Sequence, residues 1–337
     1  MTNKSTLVEE MQRIVDQSGS KAMAIANKEI ASKFASNDDV SIALKYFARV
    51  TLRDALPVFP ALVSLSCEAV GGNHDKTDSI GGAITLIAGA ADLHDDVIDQ
   101  SPVKNGKLTV LGKFGKEIAI LAGDALLVWG LVRFREECES VPGEQGGVIL
   151  DLLTQAILEM VNAEALEARL RAEKSLSVKA CMNVIELKAV VPEVSMKLGA
   201  ILGNGSVESV DALGHFGKIF GIVSTVAEEF MDVLEFKELQ NRLKNDYPPL
   251  PVVYALQDSN LHKPVFSLAK NLSTKAFKEI KKLVLNSHGV SGVKKEMNVL
   301  VQNAIDRLYS GVIETKALKN LDTIIKACLE LLEGIDN

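Results

Sequence analysis

The sequence predicts an all-α fold of about a dozen helices in a single domain spanning residues 1–337. Apolar residues recur at helical spacing, as in Leu7, Met11 and Ile14, whereas the strict alternation typical of strands is hard to find. Aromatic residues make up only 5% of the chain, and Ala and Leu are prominent among the 47% that are apolar. This composition favours helices by intrinsic propensity, and no internal repeat or linker divides the chain.

The helix breakers divide the chain into these elements. Prolines near the start of one helix and glycines at its end set its limits, and two turn-forming stretches predict loops. The breaks are Pro57 and Pro60, Gly71-Gly72-Asn73, the Pro102–Gly106 loop, Pro142-Gly143, and Pro248, Pro249 and Pro251, which form the hardest break.

Two long helices, predicted over residues 79–99 and 207–232, are apolar along most of their length and acidic at their C-terminal ends. The first acidic motif is Asp95, Asp96 and Asp99, and the second acidic motif is Glu228, Glu229 and Asp232. In a helix, residues four apart share a face, so each motif places like charges one turn apart. Such charges destabilise a helix unless a cation neutralises them.

The paired motifs therefore suggest sites for hard cations. Mg²⁺ prefers carboxylate oxygens and is often completed by substrate phosphates. Two or three Mg²⁺ ions held between facing helices would grip a diphosphate and stabilise it as a leaving group. Either motif alone is also compatible with a solvated helix end. His94, beside the first motif, fits a residue of the helix face better than a metal ligand.

Composition also limits the partners and the location of the protein. The formal charge of -7, without a run of basic residues, argues against nucleic acid. The four cysteines are scattered and are typical of reduced cytosolic thiols. Met1–Arg13 lacks the apolar stretch of a signal peptide, and no apolar run reaches the ~20 residues of a membrane span. We therefore expect a cytoplasmic protein without a membrane span.

The segment LHDDVIDQSPVKNGKLTVLGKFGKEIAILAGDALL, from Leu93 to Leu127, strongly resembles the polyprenyl synthetase (trans-isoprenyl diphosphate synthase) family. The likeness covers most of the chain. Matching positions in and beyond this segment are Gly106, Phe114-Gly115, Gly123-Asp124, Lys188, the second acidic motif and Leu250-Pro251. The resemblance implies the isoprenoid synthase helical bundle, an allylic prenyl diphosphate as substrate and a homodimer formed through a helix pair.

The resemblance also implies roles for individual residues. Asp95, Asp99 and either Glu228 or Asp232 would bind Mg²⁺ directly, and Asp96 and Glu229 would bind it partly or support the ligands. Lys188 and Lys104 would bind the diphosphate and assist its departure. Ala91 and Ala90, four and five residues before Asp95, stand where the family often has an aromatic pocket floor. They fit a deep apolar pocket for the prenyl chain or close helix packing equally well.

The departures from the family concern the second substrate, isopentenyl diphosphate. Chain-elongating members bind it with a Gly-Lys-Arg-x-Arg-Pro-type stretch, which here reads Ala55–Pro60 without any cation. Losing several charged donors should weaken that subsite by orders of magnitude. A histidine that often completes the same subsite is Glu68, and the paired arginines after the first motif are Lys104 and Asn105. A family Gly-Lys is replaced by Asp246-Tyr247.

Three functions follow from this pattern. The first is an enzyme that ionises an allylic diphosphate without isopentenyl diphosphate and either cyclises it, like a terpene synthase, or transfers it to another acceptor. The second is a chain-elongating prenyl diphosphate synthase with an altered co-substrate site. The third is a non-catalytic subunit that pairs with a paralogue carrying the full motifs.

Overall fold

The computed structural model describes residues 6–104, 106–171, 176–270 and 272–334. Within these ranges the chain forms sixteen α-helices, two short 3-10 helices and one hairpin of two antiparallel strands. The all-α prediction is confirmed. The helices outnumber the expected dozen because short breaks, such as the one at Ala189, divide segments that periodicity alone reads as one helix.

The elements are as follows in chain order. The first half contains α1 (Thr6–Lys33), α2 (Asp39–Val50), η1 (Leu52–Asp54), α3 (Val58–Ala69), η2 (His74–Lys76), α4 (Asp78–Ile98), β1 (Val103–Lys104), β2 (Lys107–Leu108), α5 (Val110–Phe114), α6 (Lys116–Glu139) and α7 (Gln145–Leu170). The second half contains α8 (Val178–Lys188), α9 (Val190–Leu202), α10 (Val207–Leu234), α11 (Phe236–Asn245), α12 (Leu250–Gln257), α13 (His262–Lys270), α14 (Thr274–Leu285), α15 (His288–Gly311) and α16 (Lys316–Glu333).

The predicted breaks lie at the ends of these elements. Pro57 caps the N-terminus of α3, and Gly71 follows α3 with a φ of 85°, a left-handed conformation that glycine adopts readily. Pro249 caps α12. The predicted loop from Pro102 to Gly106 instead contains strand β1, whose Val103 pairs with Leu108 of β2. Two residues per strand are too few to show alternation in the sequence.

The two acidic helices lie in the interior of the bundle. Helix α4 packs against α1, α3 and α6, and α10 packs against α9, α15 and α16. Helix α9 approaches α10 closely because Gly221 lacks a side chain: a Cβ there would lie 2.6 Å from Cγ of Pro192. This close approach brings the α8–α9 junction, and with it Lys188, near the acidic end of α10.

Helix α7 has an unusual surface. Among the described residues it is the one helix long and apolar enough to cross a bilayer, and a bent pair of segments (39–54 with 58–69) would add a second if it counted as one span. The most apolar window of α7 has a mean hydropathy of 1.3 and is 28% buried. The sequence expectation missed this window because it looked for an unbroken apolar run. Core helices have the same composition, so the finding is weak support for a membrane span.

Candidate active site

The first acidic motif lies at the C-terminal end of α4. Asp95 and Asp99 are half-buried, and the amide N–H of Asp99, the C-terminal cap, donates to the carbonyl of Asp95. Asp96 is buried, with 4% of its surface exposed. Its Oδ1 atom has no hydrogen-bond partner among the residues that the structure describes. A buried carboxylate oxygen without a donor is costly, which makes this atom a good ligand for a cation.

Lys104 reaches this motif from strand β1. Its Nζ lies 2.6 Å from Oδ1 of Asp92 and 3.9 Å from Oδ1 of Asp96. The side chain therefore points toward the acidic helix, as its predicted role requires. Asp92, one turn before the motif, is a contact that the sequence reading missed. The neighbouring Asn105 lies outside the described residues.

Lys188 is the last residue of α8 and pairs with two carboxylates of α7. Its Nζ lies 2.9 Å from Oε1 of Glu164 and also contacts Oε2 of Glu167. The hydroxyl of Tyr247 donates to the other oxygen of Glu167 over 3.0 Å. These partners fix Lys188 at the wall of the cleft. The sequence does contain a signal for this contact: Glu164 and Glu167 lie three residues apart, near the end of an apolar helix.

The second acidic motif is divided between two environments. Glu228 is exposed, whereas Glu229 is buried with 7% of its surface exposed. Arg242 of α11 donates to Oε1 of Glu229 over 2.9 Å and to Oδ2 of Asp232 over 2.6 Å. The other oxygen of Glu229 accepts from the backbone N–H of Leu250 over 2.7 Å. Glu229 is thus already engaged, and Glu228 is the motif carboxylate that faces the open cleft.

A chain of ion pairs joins the two motifs. Arg171, at the end of α7, contacts Asp99 and reaches Oδ1 of Asp246 over 2.8 Å. Arg242 lies 3.0 Å from the other oxygen of Asp246. The structure therefore places two guanidinium groups between the motifs, at positions that carry no motif in the sequence. Asp246, which appeared in the sequence only as the loss of a family glycine, bridges them.

Negative charge remains in excess despite these cations. Carboxyl groups outnumber Lys104, Lys188, Arg171 and Arg242 by more than two to one. Burial, followed by repulsion from neighbouring carboxylates, raises the pKa of Asp95 and of Asp96 to about 7. Lys104 and Lys188 act electrostatically on both Asp95 and Glu228, which places both motifs around one cleft.

The carboxylates of this cleft are suited to Mg²⁺ by chemistry, since every donor is an oxygen. Two of its buried oxygens, Oδ1 of Asp96 and Oε2 of Glu164, have no hydrogen-bond partner among the described residues. In the part of the chain that the structure describes, no group of three or more His, Cys, Asp or Glu side chains has converged into metal-ligand geometry. Arg171 and Arg242 already pair with carboxylates of the two motifs. The donor set fits a cation, and its final arrangement would form around one.

The structure separates the two small residues predicted to line a pocket. Ala90 has no exposed surface and packs in the core with Leu126, as the close-packing alternative expects, whereas Ala91 is exposed. Neither lines the cavity beside α4, which lies along Ala88 and Asp92 instead. Helix geometry explains the difference, because residues one position apart face about 100° away from each other.

Glu68 stands where the family often has a histidine of the co-substrate subsite. It does not line the cavity beside α4. Its Oε1 lies 2.7 Å from Nδ1 of His74 at the far end of α3. His94 lies 3.2 Å from Asp124 on α6 and acts as a helix-face contact, in agreement with the sequence interpretation.

Comparison with known proteins decides the family. The model of the family described as "Polyprenyl synthetase" matches residues 58–285, which is more than half of the chain. The chain belongs to the polyprenyl synthetase family. Solved structures show the same isoprenoid synthase fold over nearly the whole molecule. A geranylgeranyl pyrophosphate synthetase from Pyrococcus horikoshii has a TM-score of 0.81 at 21% identity, covering 96% of this chain and 98% of its own.

Other relatives of this polyprenyl synthetase are more informative about ligands. A polyprenyl synthase from Caulobacter crescentus, solved with calcium and isoprenyl diphosphate, has a TM-score of 0.80 at 18% identity and is covered over 98% of both chains. A short chain isoprenyl diphosphate synthase from Methanothermobacter thermautotrophicus is 28% identical over 180 residues, 53% of this chain and 54% of that protein. The sequence matches thus span about half the length of these curated relatives.

Proposed function

We propose that this polyprenyl synthetase binds and ionises an allylic prenyl diphosphate with Mg²⁺, and that it does so without isopentenyl diphosphate. The observation that carries the proposal is the excess of carboxylates, buried and partly buried, in a cleft that also holds Lys104 and Lys188. The related Caulobacter protein, solved with calcium and isoprenyl diphosphate, supports a hard cation and a prenyl diphosphate as its ligands.

In this proposal Asp95, Asp99, Glu228 and Asp232 hold two or three Mg²⁺ ions. Buried Asp96 completes the first motif, and Glu229 fixes Arg242 and α12. The ions, when bound, supply Lewis-acid stabilisation of the diphosphate leaving group.

The lysines bind the diphosphate itself. Nζ of Lys188 and Nζ of Lys104 donate charge-assisted hydrogen bonds to its oxygens and orient the breaking C1–O bond. Lys188 is half-buried, so its charge is screened less than in open solvent, whereas Lys104 is exposed. The apolar cores of α4 and α10 exclude water from below the reacting carbon and protect the allylic cation.

The cavity beside the first motif supports the proposal that the protein does not bind isopentenyl diphosphate. Its wall is formed by the segment Ala55–Pro60, which carries no cation. The two lysines at this cavity, Lys104 and Lys107, are paired with Asp92 and Asp54 over 2.6 Å each. Because Lys104 is assigned to the allylic diphosphate, a second diphosphate would be left with Lys107 and would have to break its ion pair with Asp54.

Two alternatives each have an observation in their favour. Several curated relatives are named geranylgeranyl diphosphate synthases, including one from Methanosarcina mazei at 27% identity, which favours chain elongation with an altered co-substrate site. Arg171 and Arg242 occupy carboxylates that a metal would need, which favours a non-catalytic subunit. One relative from Arabidopsis thaliana, 28% identical over 199 residues, is named as the large subunit of a heterodimeric synthase.

We also propose a homodimer formed through α6 and α7. Exposed apolar side chains lie on both helices: Leu121, Val128, Val148, Leu158 and Val161. Large apolar patches of this kind are typical of protein–protein contacts. A second copy covering α7 would also explain why so little of this apolar helix is buried within one chain.

The decisive experiment measures pyrophosphate release with Mg²⁺ from prenyl diphosphates of C10 to C25, with and without labelled isopentenyl diphosphate. We expect release from at least one substrate alone, and a loss of about 100-fold in Lys188→Ala. Lys197→Ala is the matched control, because Lys197 pairs only with Glu193 in its own helix among the contacts seen. Label in longer products would establish chain elongation, and no release from any substrate would favour the non-catalytic subunit.

A further inference from the structure

A cavity of about 540 Å³ lies between α1, α2, α4, the start of α3 and the hairpin. Its volume is within the range of small-molecule sites, about 300–1,000 Å³. Most of its wall is hydrocarbon, contributed by Phe47, Leu52, Leu56, Val58, Phe59 and Ala88. The cavity is therefore suited to a ligand that is itself largely apolar.

The polar groups of the cavity are already matched with one another. Lys104 pairs with Asp92 and Lys107 pairs with Asp54, each over 2.6 Å. The hydroxyl proton of Thr109 is donated to the carbonyl of Ser101. Among the described residues, an anionic ligand would meet two carboxylates and two lysines that are already paired with them, so its charge would be poorly compensated.

The cavity opens beside the first acidic motif. Asp92 and Lys104 are part of its lining, and the same Lys104 ammonium lies 3.9 Å from Oδ1 of buried Asp96. Asp92 precedes Asp96 by one helical turn on α4. A ligand in the cavity is thus adjacent to the place where an allylic diphosphate would be ionised.

We propose that this cavity binds an uncharged, largely apolar acceptor, such as an aromatic alcohol or an electron-rich ring, which receives the prenyl group. The proposal rests on the proposed ionisation of an allylic diphosphate. The C1–O bond breaks and its electron pair leaves with the diphosphate. An electron pair of the acceptor forms the new bond to C1, and the proton that the acceptor loses passes to the released diphosphate.

The test compares two probes that share the naphthyl ring, neutral 1-naphthol and anionic 1-naphthyl phosphate, by calorimetric titration of the full chain. We expect 1-naphthol to bind at least about 10-fold more tightly, since burying an unpaired anion is costly. Ala88→Phe places a ring in the cavity and should weaken 1-naphthol binding at least about 10-fold. Leu56→Lys adds a cation to the wall and should shift the preference toward the phosphate, which keeps the test valid should Ala88→Phe misfold.

Equal or tighter binding of 1-naphthyl phosphate by the parent chain would overturn the proposal, as would 1-naphthol binding that neither variant changes. Absence of 1-naphthol binding would overturn it as well. These titrations need no turnover, so they are independent of the pyrophosphate-release experiment. Pyrophosphate release without 1-naphthol binding would leave the ionisation standing and remove the acceptor. Binding of 1-naphthol without pyrophosphate release would leave the apolar ligand site standing and remove the proposed ionisation.

Discussion

Asp96 is the most deeply buried carboxylate of the first acidic motif, and its environment favours the protonated, uncharged form. Within the described part of the chain one of its oxygens has no hydrogen-bond partner, and Lys104 approaches that oxygen only to 3.9 Å. Burial, followed by repulsion from Asp92, raises the pKa of Asp96 to about 7. Without a cation, this residue therefore works against folding at neutral pH.

This environment gives a pH-dependent stability. In the unfolded chain Asp96 releases its proton near pH 3.9 or so, whereas the folded chain keeps the proton up to about pH 7. Between these values the unfolded state binds fewer protons, so the free energy of unfolding falls as pH rises. In the presence of a chelator, we expect Asp96→Asn to lose less stability than the parent from pH 4 to pH 8.

Thermal melts followed by circular dichroism measure the effect, and at pH 8 the variant should melt about 2–5 °C above the parent. Added Mg²⁺ should narrow this difference by stabilising the ionised carboxylate of the parent. Asp16→Asn, at an exposed carboxylate of α1, is the control. Parallel curves for Asp96→Asn and the parent would contradict the buried, raised-pKa environment.

At the scale of elements, Glu229 connects three helices. It projects from α10, accepts from Arg242 of α11 and receives the first backbone N–H of α12 at Leu250. Glu228, its neighbour in sequence, is exposed. Adjacent residues of one motif thus divide the work: Glu229 holds the α11–α12 region in place, and Glu228 stays available for a ligand.

Alanine at each position should separate these roles. Glu229→Ala leaves the Leu250 N–H and the Arg242 guanidinium without their partner, so we expect a loss of about 3–5 kcal/mol in the free energy of unfolding. Glu228→Ala should change the free energy of unfolding by less than about 0.5 kcal/mol while lowering pyrophosphate release. Denaturant titration of both variants measures this, and equal losses of stability would refute the division.

At the scale of the whole molecule, the exposed apolar face of α6 and α7 sets the expected assembly. Val128 and Leu158 are 61% and 60% exposed, although both lie on helices whose opposite faces pack in the core. Water contact with such a face is unfavourable, and a second copy would remove it.

A charge in this face should dissociate the dimer. We expect Val128→Asp with Leu158→Asp to raise the dissociation constant at least about 100-fold, because a carboxylate would be buried at the contact. Sedimentation velocity measures the change. Ile313→Asp is the matched control, since Ile313 is 86% exposed and lies outside both helices. A monomeric parent, or an undisturbed dimer in the double variant, would exclude this surface.

Features that depend on neighbouring residues in the sequence were predicted better than features that depend on contacts between distant residues. Helix α10 begins at the predicted Val207, and α4 ends within one residue of the predicted Asp99. Periodicity and breakers are local, so they carry these limits directly. For Ala90 and Ala91 the sequence left a pocket and close packing equally open, because spacing gives the relative direction of residues but not which neighbour each face meets. The single-domain organisation stays a prediction.

By itself, the sequence determined the helical class, both acidic motifs, the candidate lysines Lys104 and Lys188, and the loss of cations from Ala55–Pro60, because each is contained in a short stretch of residues. Only the tertiary structure decided how those charges are partnered. Arg171 meets Asp99 and Asp246 across 72 and 75 residues of sequence. Ion pairs between distant segments depend on how helices pack, and the spacing of residues in the sequence does not show which distant residues this packing brings together.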